Sequence, residues 1–336
     1  MAEASRLIVD ESPARPALEP VDLSIVVVTW NSERWVERCL RAIPAACGGI
    51  AHEVILYDNA SSDRTIGVAQ ALLPAHVMQS PSNDGLAAAT NRAIAVSRGR
   101  YVFLLNPDCE LAPNALADLV RYLDSHPEAA AAAPLLSDDD GHSQREFQLR
   151  RLPTLMTFAS EILAFEKWFP GNRTTSRYRY RDLHLDGPQR VDQPAAAALL
   201  LRREVFDEIG PLDEQFSPAW FEDVDYCRRL AEAGKAVYVV PSARGKHFGG
   251  ASLEHVPFHR FVDLWYAHMW RYARKWFSPT QAEALRWLII AGMLLRLVPA
   301  VVGIAHPEVG RRNALRAYAG VLKRAFFRWG ERSASS

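Results

Sequence analysis

The feature that most constrains the fold is the run 23–30, which reads LSIVVVTW and is almost continuously apolar and β-branched. It ends at Asn31, after which apolar residues recur at helical spacing: Trp35, Val36, Cys39 and Leu40. A strand that is apolar on both faces is typical of a parallel sheet, because helices cover both faces of such a sheet. The run therefore predicts a buried strand followed by a helix that packs back on it.

The same alternation continues along the chain. The patterns predict strands at 53–57, near Val77 and at 101–105, with helices at 63–73 and 86–96 between them. Repeated strand–helix units indicate an α/β fold with a mostly parallel central sheet flanked by helices. A less regular half follows, with predicted helices at 113–123 and 221–234 and predicted strands at 130–136, 191–201 and 236–240. The segment 165–194 lacks periodicity and is predicted to be a long loop over the site.

Charge separates the C-terminal quarter from the rest. The whole chain of 336 residues has 39 basic and 39 acidic residues, which gives no case for a nucleic-acid partner. From Arg260 onward 13 basic and 4 acidic residues give a net charge of +9. The first twenty residues lack the apolar run of a signal peptide and are expected to be flexible, and the four separated cysteines are expected to be reduced and buried.

The same quarter contains a long apolar stretch. Residues 287–305 carry a single charge, Arg296, and both flanks are basic, which favours a segment that lies in a membrane leaflet over one that spans it. A basic amphipathic helix is predicted next, with one apolar face made of Leu315, Tyr318, Ala319, Leu322, Phe326 and Trp329. The alternative is a helical subdomain whose apolar faces pack on each other or on a second subunit.

Carboxylates directly follow two predicted strands, at the edge where open α/β sheets bind ligands. Asp58 is expected to stay free for a base or ribose, whereas Asp63 is expected to cap the following helix. Asp108 follows Pro107 and is placed to hold a divalent cation on a diphosphate, with a plain turn residue as the alternative. The segment TWNSERW after the first strand has no G-x-G-x-x-G, which argues against a dinucleotide fold.

Three acids and one histidine complete the set of candidates. Glu222 and Asp223 follow two aromatic residues, and such walls raise the pKa of a carboxyl toward the range of a general base. Asp225 is expected to interact only with the helix dipole. His247 is followed by Gly249 and Gly250, which are expected to form a flexible loop that closes over a ligand.

Taken in order, the motifs resemble a known family. The segments SIVVVTWNSERWVERCL, DNASSDRT, NDGLAAATNRAI, LLNPDCEL, GPLDEQF, FEDVDYCRRLAEAG and KHFGGAS are similar to those of inverting family 2 glycosyltransferases of the GT-A fold, and most similar to the rhamnosyltransferase-like branch. The resemblance covers about residues 22 to 255. It implies a nucleotide-binding half at 21–112, an acceptor half at 113–255 and a C-terminal helical basic and apolar region at 256–336.

The resemblance also implies roles for single residues. Thr29, Asn31 and Glu33 would line the nucleotide pocket, Asp58 would contact the base, and Asn83, Gly85 and Asn91 would lie near the ribose and diphosphate. Asn106 and Asp108 occupy the D-x-D metal motif, His247 would help to hold the metal or diphosphate, and Asp223 beside Glu222 would be the catalytic base. Two departures stand out: Asn106 replaces the first acid of D-x-D, and 195–198 is an alanine run where many relatives have Gly-Ala.

The implied reaction is transfer of a sugar, with L-rhamnose from dTDP-rhamnose as the best guess, to a hydroxyl of a glycan or lipid-linked acceptor. A dTDP-, UDP- or GDP-sugar would be the donor and Mg²⁺ or Mn²⁺ the cofactor. The basic C-terminal region suggests a polyprenyl-diphosphate-linked acceptor, contact with anionic lipid of the inner leaflet and a place at the cytoplasmic face of the cell membrane. A homodimer through Phe258–Trp276 is possible. A nucleotidyltransferase and a non-catalytic membrane-bound scaffold remain the alternatives.

Overall fold

The computed structural model describes residues 21–72, 77–249, 256–302, 309–327 and 329. The first twenty residues, part of the KHFGGAS segment and the end of the 287–305 stretch lie outside the described residues. The strands are β1 (Leu23–Thr29), β2 (His52–Asp58), β3 (Val77–Gln79), β4 (Tyr101–Leu105), β5 (Cys109–Leu111), β6 (Ala129–Ser137), β7 (Leu149–Arg150), β8 (Gln189–Val191), β9 (Gln193–Pro194), β10 (Ala198–Arg202) and β11 (Ala236–His247).

The helices of the N-terminal three quarters are α1 (Glu33–Cys47), α2 (Thr65–Leu72), α3 (Leu86–Val96), α4 (Ala115–Ser125), α5 (Arg145–Gln148), α6 (Leu155–Ile162), α7 (Phe165–Trp168), α8 (Arg173–Tyr178), α9 (Arg203–Ile209) and α10 (Glu222–Glu232). The C-terminal region contributes α11 (Phe258–Trp276), α12 (Pro279–Val301) and α13 (Arg311–Phe326). A short 3₁₀ turn, Glu214–Phe216, precedes α10.

Nine of the described strands form one central sheet, in the order β3-β2-β1-β4-β10-β6-β11-β5, with β8 beside β11. The half from β3 to β4 is parallel throughout, as the strand–helix alternation predicts. Strand β10 runs antiparallel to both of its neighbours, so the other half is mixed. The carboxyl ends of β1, β2 and β4 therefore lie at one edge of the sheet.

Alternate side chains of the central strands are buried on opposite faces of the sheet. Ile25 and Val27 of β1 pack with α1 and α4 in one cluster, whereas Val26 packs with α3 and α10 in the other. Because each face is covered by helices, the strands are apolar in continuous runs rather than in alternation. This two-sided burial is the reason why the LSIVVVTW run is a strong signal.

Three predictions of secondary structure are wrong. The segment 165–194 is not a structureless loop, since it contains α7, α8 and β8. The strand predicted at 191–201 is divided into β8, β9 and β10 around an unpaired stretch at 195–197. Strand β11 continues beyond Val240 to His247 after a register shift between Val240 and Arg244, which the Pro-containing sequence conceals.

The C-terminal helices build a third apolar cluster together with aromatic side chains of the preceding part of the chain. Helices α11, α12 and α13 pack on one another, and their buried residues contact Phe158, Phe216 and Phe221. The buried face of α13 consists of Ala314, Ala317, Tyr318, Val321 and Ala325. The predicted apolar face was therefore misplaced by about one position, because the small alanines allow close helix packing while Ala319 and Phe326 face outward.

Candidate active site

The predicted site residues gather at the carboxyl edge of the sheet and at the first turn of α10. Thr29 and Asp58 end adjacent strands and are paired in register. Asn106 and Asp108 follow β4, and His247 ends β11 opposite Cys109. The backbone of the alanine segment joins the two sides, because the N–H of Asn106 donates to the carbonyl of Ala197 while the N–H of Ala196 lies 3.3 Å from Asp223 Oδ2.

Asp58 is held by its own surroundings. Its side chain is 2% exposed and accepts hydrogen bonds from the hydroxyl of Thr29 at 2.9 Å and from the hydroxyl and N–H of Ser61. The expectation of a free carboxylate is therefore wrong. The partners of the Asp58 carboxylate come from the ends of two neighbouring strands. Thr29 is the last residue of β1, and Ser61 lies in the turn between β2 and α2.

Asn31 and Glu33 connect the turn after β1 to the turn after β2. Asn31 has a left-handed φ of 50°, and its side-chain oxygen accepts the N–H of Ser62 at 2.8 Å. Glu33 at the start of α1 pairs with Arg64, which lowers the pKa of that carboxyl. Asp63 lies one residue before the N-cap position of α2, and its carboxylate accepts the N–H of Thr65 at 3.0 Å and the N–H of Glu33 at 3.0 Å, so it binds the starts of α2 and α1.

The N-D-G turn before α3 is tied to the same edge. The side-chain oxygen of Asn83 accepts from the Asn59 amide and from the N–H of Gly85, both at 3.0 Å. Gly85 has a φ of 88°, and a Cβ there would lie 2.5 Å from the hydroxyl oxygen of Ser217. Glycine is thus required both by the backbone conformation and by the close approach of the 217–218 turn.

Asn91 lies one helical turn further along α3 and makes structural contacts. Its amide donates to the carbonyl of Leu212 at 2.9 Å, and its oxygen accepts the N–H of the same residue at 2.9 Å. These bonds fix the GPLDEQF segment against α3. In the structure Asn91 therefore positions the chain leading to α10, and its predicted contact with ribose or diphosphate stays a prediction.

Asp108 and His247 form a buried pair at the end of the sheet. Their side chains are 5% and 4% exposed, and Asp108 Oδ1 lies 3.5 Å from His247 Nε2. Gln144 fixes the ring, because its amide donates to the His247 carbonyl at 2.7 Å and its oxygen faces Nδ1 at 3.0 Å. Because the side-chain oxygen of Gln144 can only accept a hydrogen bond, it suits the tautomer with its proton on Nδ1, which leaves Nε2 available as a metal ligand.

This donor set fits a divalent cation. The 3.5 Å between the Asp108 oxygen and the His247 nitrogen lets both reach one ion at roughly 2.1 Å, with an angle of about 110° between the two ligands. Cys109 lies beside them, but its Sγ contacts the Ala197 carbonyl at 3.3 Å and burial raises the pKa of its thiol well above the usual range. Cys109 therefore stays a neutral thiol. His247 is the last residue of β11, and the glycine loop predicted to follow it lies mostly outside the described residues.

The Glu222–Asp223 pair begins α10 directly after a strained turn. Trp220 and Phe221 both have left-handed φ angles, 73° and 74°, which are uncommon for bulky residues and cluster at functional sites. Phe221 is buried in the C-terminal cluster. His268 of α11 contacts the carbonyls of Ala219 and Trp220 at 3.0 and 3.1 Å, so the C-terminal region holds this turn in place.

The two carboxyls differ in exposure and in hydrogen bonding. Glu222 is 5% exposed, and its Oε2 has no hydrogen-bond partner among the described residues. Asp223 is partly exposed, and its Oδ1 accepts the N–H of Val224 at 2.8 Å. Burial raises the pKa of both groups, and the Asp223 carboxylate raises that of Glu222 further. This bears out the expectation of raised pKa values.

A narrow cavity connects Glu222 with Asn106 of the metal motif. Its walls are mostly aliphatic residues of β1, β4 and α3, and its polar lining consists of Thr90, Asn106 and Glu222. The unpartnered Glu222 carboxyl and Asn106 thus border the same cavity. Asp223 lies next to it, because its carboxylate contacts the N–H of Ala196, which also lines the cavity.

Asp225 is an ion-pair residue rather than a simple dipole partner. Its side chain is fully buried and accepts hydrogen bonds from Lys275 at 2.9 Å and from Trp276 Nε1 at 2.8 Å, with Arg229 at 3.2 Å. Lys275 also binds Asp213 at 2.7 Å. The acid run in α10 thus divides into one pair that faces the cleft and one residue that anchors α11.

Sequence reasoning missed Gln144, Arg150 and His268. Burial raises the pKa of Asp223, and the charge of the nearby Arg150 in β7 counteracts part of that rise. Arg150 also pairs with Glu161 at 3.7 Å. No local pattern marks these residues, because each reaches the site from an element far away in sequence. The basic pair Arg150–Arg151 before Pro153 was the one available signal.

A mixed α/β sheet with carboxylates at the ends of β2 and β4 and at the start of α10 has the GT-A arrangement expected of a glycosyltransferase. Residues 24–210, more than half of the chain, match glycosyl transferase family 2. The chain belongs to this family.

Individual relatives are more specific. The N-acetylglucosaminyl-diphospho-decaprenol L-rhamnosyltransferase of Mycobacterium tuberculosis is 28% identical over 292 residues, which cover 82% of this chain and 91% of that protein. Rhamnosyltransferase WbbL of Escherichia coli K12 is 26% identical over 148 residues, covering 44% of this chain and 52% of that protein. The crystal structure of GalNAc-T7 with UDP, GalNAc and Mn²⁺ aligns with a TM-score of 0.48 and 18% identity, over 68% of this chain and 44% of that one.

Proposed function

We propose that the protein is an inverting, metal-dependent glycosyltransferase that moves L-rhamnose from dTDP-rhamnose to a hydroxyl of a polyprenyl-diphosphate-linked glycan. The observation that carries the reaction type is the placement of Asp223, a partly exposed carboxylate beside the buried Glu222 and across Ala196 from the Asn106–Asp108 motif. The relatives named above support the choice of sugar and acceptor.

Asp223 is the proposed catalytic base. Its raised pKa brings it closer to neutral pH, where a base accepts a proton more readily while it is still ionised. It would take the proton of the acceptor hydroxyl while that oxygen attacks the anomeric carbon from the face opposite the nucleotide. The configuration at that carbon then inverts. Ala196 N–H and Val224 N–H hold the carboxylate in place.

Asp108 and His247 are the proposed metal ligands. Mn²⁺ suits this pair better than Mg²⁺, because Mg²⁺ prefers a shell of oxygen atoms and accepts imidazole less readily. When bound, the cation would neutralise the charge that develops on the leaving diphosphate. Gln144 keeps the His247 ring in the tautomer that presents Nε2.

The nucleotide is expected to lie over the ends of β1 and β2. Thr29, Asn31, Glu33 and Asp58 form a connected set of hydrogen bonds there, and Asn83 and Gly85 close the set from the side of α3. A site of this kind is preorganised, because its side chains already have fixed positions before the donor binds.

The deciding experiment is a turnover assay with the full chain, dTDP-rhamnose, Mn²⁺ and a GlcNAc-diphospho-polyprenol acceptor. Release of dTDP that depends on both acceptor and metal, together with a rhamnosylated lipid of inverted configuration, is the expected result. UDP- and GDP-sugars serve as competing donors. Pyrophosphate release from a nucleoside triphosphate would instead indicate a nucleotidyltransferase, and no release from any donor would indicate a scaffold.

A thermal-shift screen of nucleoside diphosphates precedes this assay. A ligand that binds the native state raises the apparent melting temperature. We expect stabilisation by dTDP only when Mn²⁺ or Mg²⁺ is present, and the same screen on Asp108→Asn should lose the metal dependence.

A further inference from the structure

Exposed apolar side chains are concentrated on one part of the molecule. Helix α12 exposes an uncharged face whose large side chains are Trp287, Leu294, Leu295, Val298, Val301 and Val302. Helix α7 and the residue after it expose Phe165, Trp168 and Phe169, of which Trp168 is 77% exposed. Exposed apolar surface of this extent marks an interaction site.

The two elements are neighbours in the fold although they are far apart in sequence. Arg296 in the second half of α12 donates to the carbonyl of Ile162 at the end of α6, and that carbonyl is three residues before α7. A Cβ on Gly292 would lie 2.4 Å from Ile162 Cγ2, so the helices touch at this point. Phe165 and Phe169 stack on each other with ring centroids 4.6 Å apart.

The charges beside the aromatic residues are cationic. Lys167, Arg173 and Arg177 are exposed, whereas the nearby Glu166 is paired with Arg181 at 2.7 Å. Arg311, Arg312 and Arg316 at the start of α13 are also exposed. A surface with an apolar centre and a cationic rim complements a bilayer that contains anionic headgroups.

Helix α12 is among the described residues the one helix that is long and apolar enough to cross a membrane, and 39% of its most apolar window is buried in the protein. A crossing would also carry its partner α11 into the bilayer, and that helix bears Asp263, Arg271, Arg274 and Lys275. Moving such charges into hydrocarbon is costly. The helix therefore lies along the surface, with its outer face toward lipid.

We propose that Phe165, Trp168 and Phe169 of the α7 segment and the outer face of α12 form one membrane-docking surface, referred to here as the α7–α12 surface, which binds an anionic bilayer. The proposal extends the proposed function, since a polyprenyl-linked acceptor resides in a bilayer. A second copy of the chain is the less suitable occupant, because a two-fold contact brings the same patch of each copy together and would oppose like cationic rims.

The surface also explains where the acceptor enters. Segment 155–178 leads from the aromatic residues back to the cleft, where Tyr178 contacts Arg150 and the charge of Arg150 acts on Asp223. Docking through α7 would therefore bring the bilayer to the segment that leads back to Arg150 and Asp223. The aromatic segment thus belongs to the acceptor side of the enzyme.

The test is co-sedimentation of the full chain with phosphatidylcholine vesicles, with and without phosphatidylglycerol. We expect the double variant Trp168→Ala, Phe169→Ala to bind anionic vesicles at least about tenfold more weakly, since both side chains are exposed and their loss removes only apolar contact with lipid. The matched control is Phe147→Ala, which removes an aromatic ring that is 51% exposed outside this surface; it should bind like wild type.

Two further measurements separate the alternatives. Trp168→Phe and Trp287→Phe should each lose part of the tryptophan quenching by brominated lipid while they keep vesicle binding, because both indoles are exposed on this surface. Replacement of Lys167, Arg173 and Arg177 by Gln should weaken binding to anionic vesicles by about a hundredfold and leave binding to neutral vesicles unchanged. Unchanged vesicle binding by the double variant would overturn the proposal. It would also be overturned if the wild type self-associated without vesicles in sedimentation velocity and the double variant did not, because the surface would then bind a second copy of the chain. Vesicle binding requires no turnover, so its outcome is independent of the proposed reaction.

Discussion

The polar side chains on the two sides of the cleft differ in how completely they are hydrogen-bonded. On the nucleotide side, Asp58 and Asn83 are enclosed in hydrogen bonds from their own turns. On the side of α10, Glu222 Oε2 has no partner among the described residues, and Asp223 is partly exposed. The hydrogen bonds of the nucleotide side stabilise the fold and fix a binding surface. On the side of α10, a buried acid without a hydrogen-bond partner lowers stability, which is typical of residues kept for catalysis.

The comparison has a structural cause. The nucleotide side is made of tight turns between parallel strands and helices, where Ser, Asn and Asp satisfy nearby backbone groups. The acids of α10 follow two residues in left-handed conformation, and their surroundings come from Ala196, Arg150 and His268 on distant elements. Substitutions on the two sides should therefore have different consequences for stability and for activity.

The largest expected effect is on turnover, in Asp223→Asn. The variant keeps shape and most hydrogen bonds but has no carboxylate to accept a proton, so kcat should fall by about 10²–10⁴-fold. Donor affinity, measured by calorimetry with dTDP and Mn²⁺, should stay nearly constant. Glu222→Gln is the matched control on the same helical turn, and its kcat should fall far less. Equal loss of turnover and donor binding in Asp223→Asn would refute the base assignment.

Next in size is the loss of metal-dependent donor binding. Asp108→Asn and His247→Ala each remove one proposed ligand, and metal affinity should fall by more than the roughly 10–100-fold that loss of a residue orienting a ligand costs. The measurement is Mn²⁺ titration monitored by dTDP binding. Gln144→Leu should show a smaller loss, because it frees the ring of His247 without removing a ligand. Metal dependence that survives in all three variants would exclude this site.

Asp58→Asn tests the stabilised side of the comparison. The buried carboxylate of Asp58 accepts bonds from two hydroxyls and one N–H, and an amide cannot replace all of them. We expect a loss of about 1–3 kcal/mol in the free energy of unfolding by urea, together with weaker dTDP binding. Asp223→Asn should cause no comparable loss of stability. If Asp58→Asn is as stable as wild type, the two sides do not differ as described.

These contrasts also show what the sequence predicts. Local sequence patterns correctly predicted β1, β2, β4 and α3 and the positions of the acids after β2, after β4 and at the start of α10. Each of these features depends on consecutive residues. The state of the same acids depends on tertiary contacts: Ser61 binds Asp58, Lys275 of α11 binds Asp225, and Gln144 orients His247. The path of 165–194 was likewise hidden, since α7 and α8 are short and are held by packing on α6.

The smallest expected effect concerns the pH dependence of stability in Glu222→Gln. Burial and the Asp223 carboxylate raise the pKa of Glu222 in the folded protein, so the native state binds more protons than the unfolded chain above the ordinary glutamate pKa. Stability contributed by protonated Glu222 is therefore complete at low pH and is lost as pH rises toward the raised pKa. Gln has no such loss. As the pH rises from mildly acidic to mildly alkaline, the free energy of unfolding of Glu222→Gln should increase by about 1 kcal/mol relative to that of wild type. Urea titrations at each pH measure this difference. A constant difference across that window would mean that Glu222 has a partner in solution, and the contrast between the two sides of the cleft would then rest on Asp223 alone.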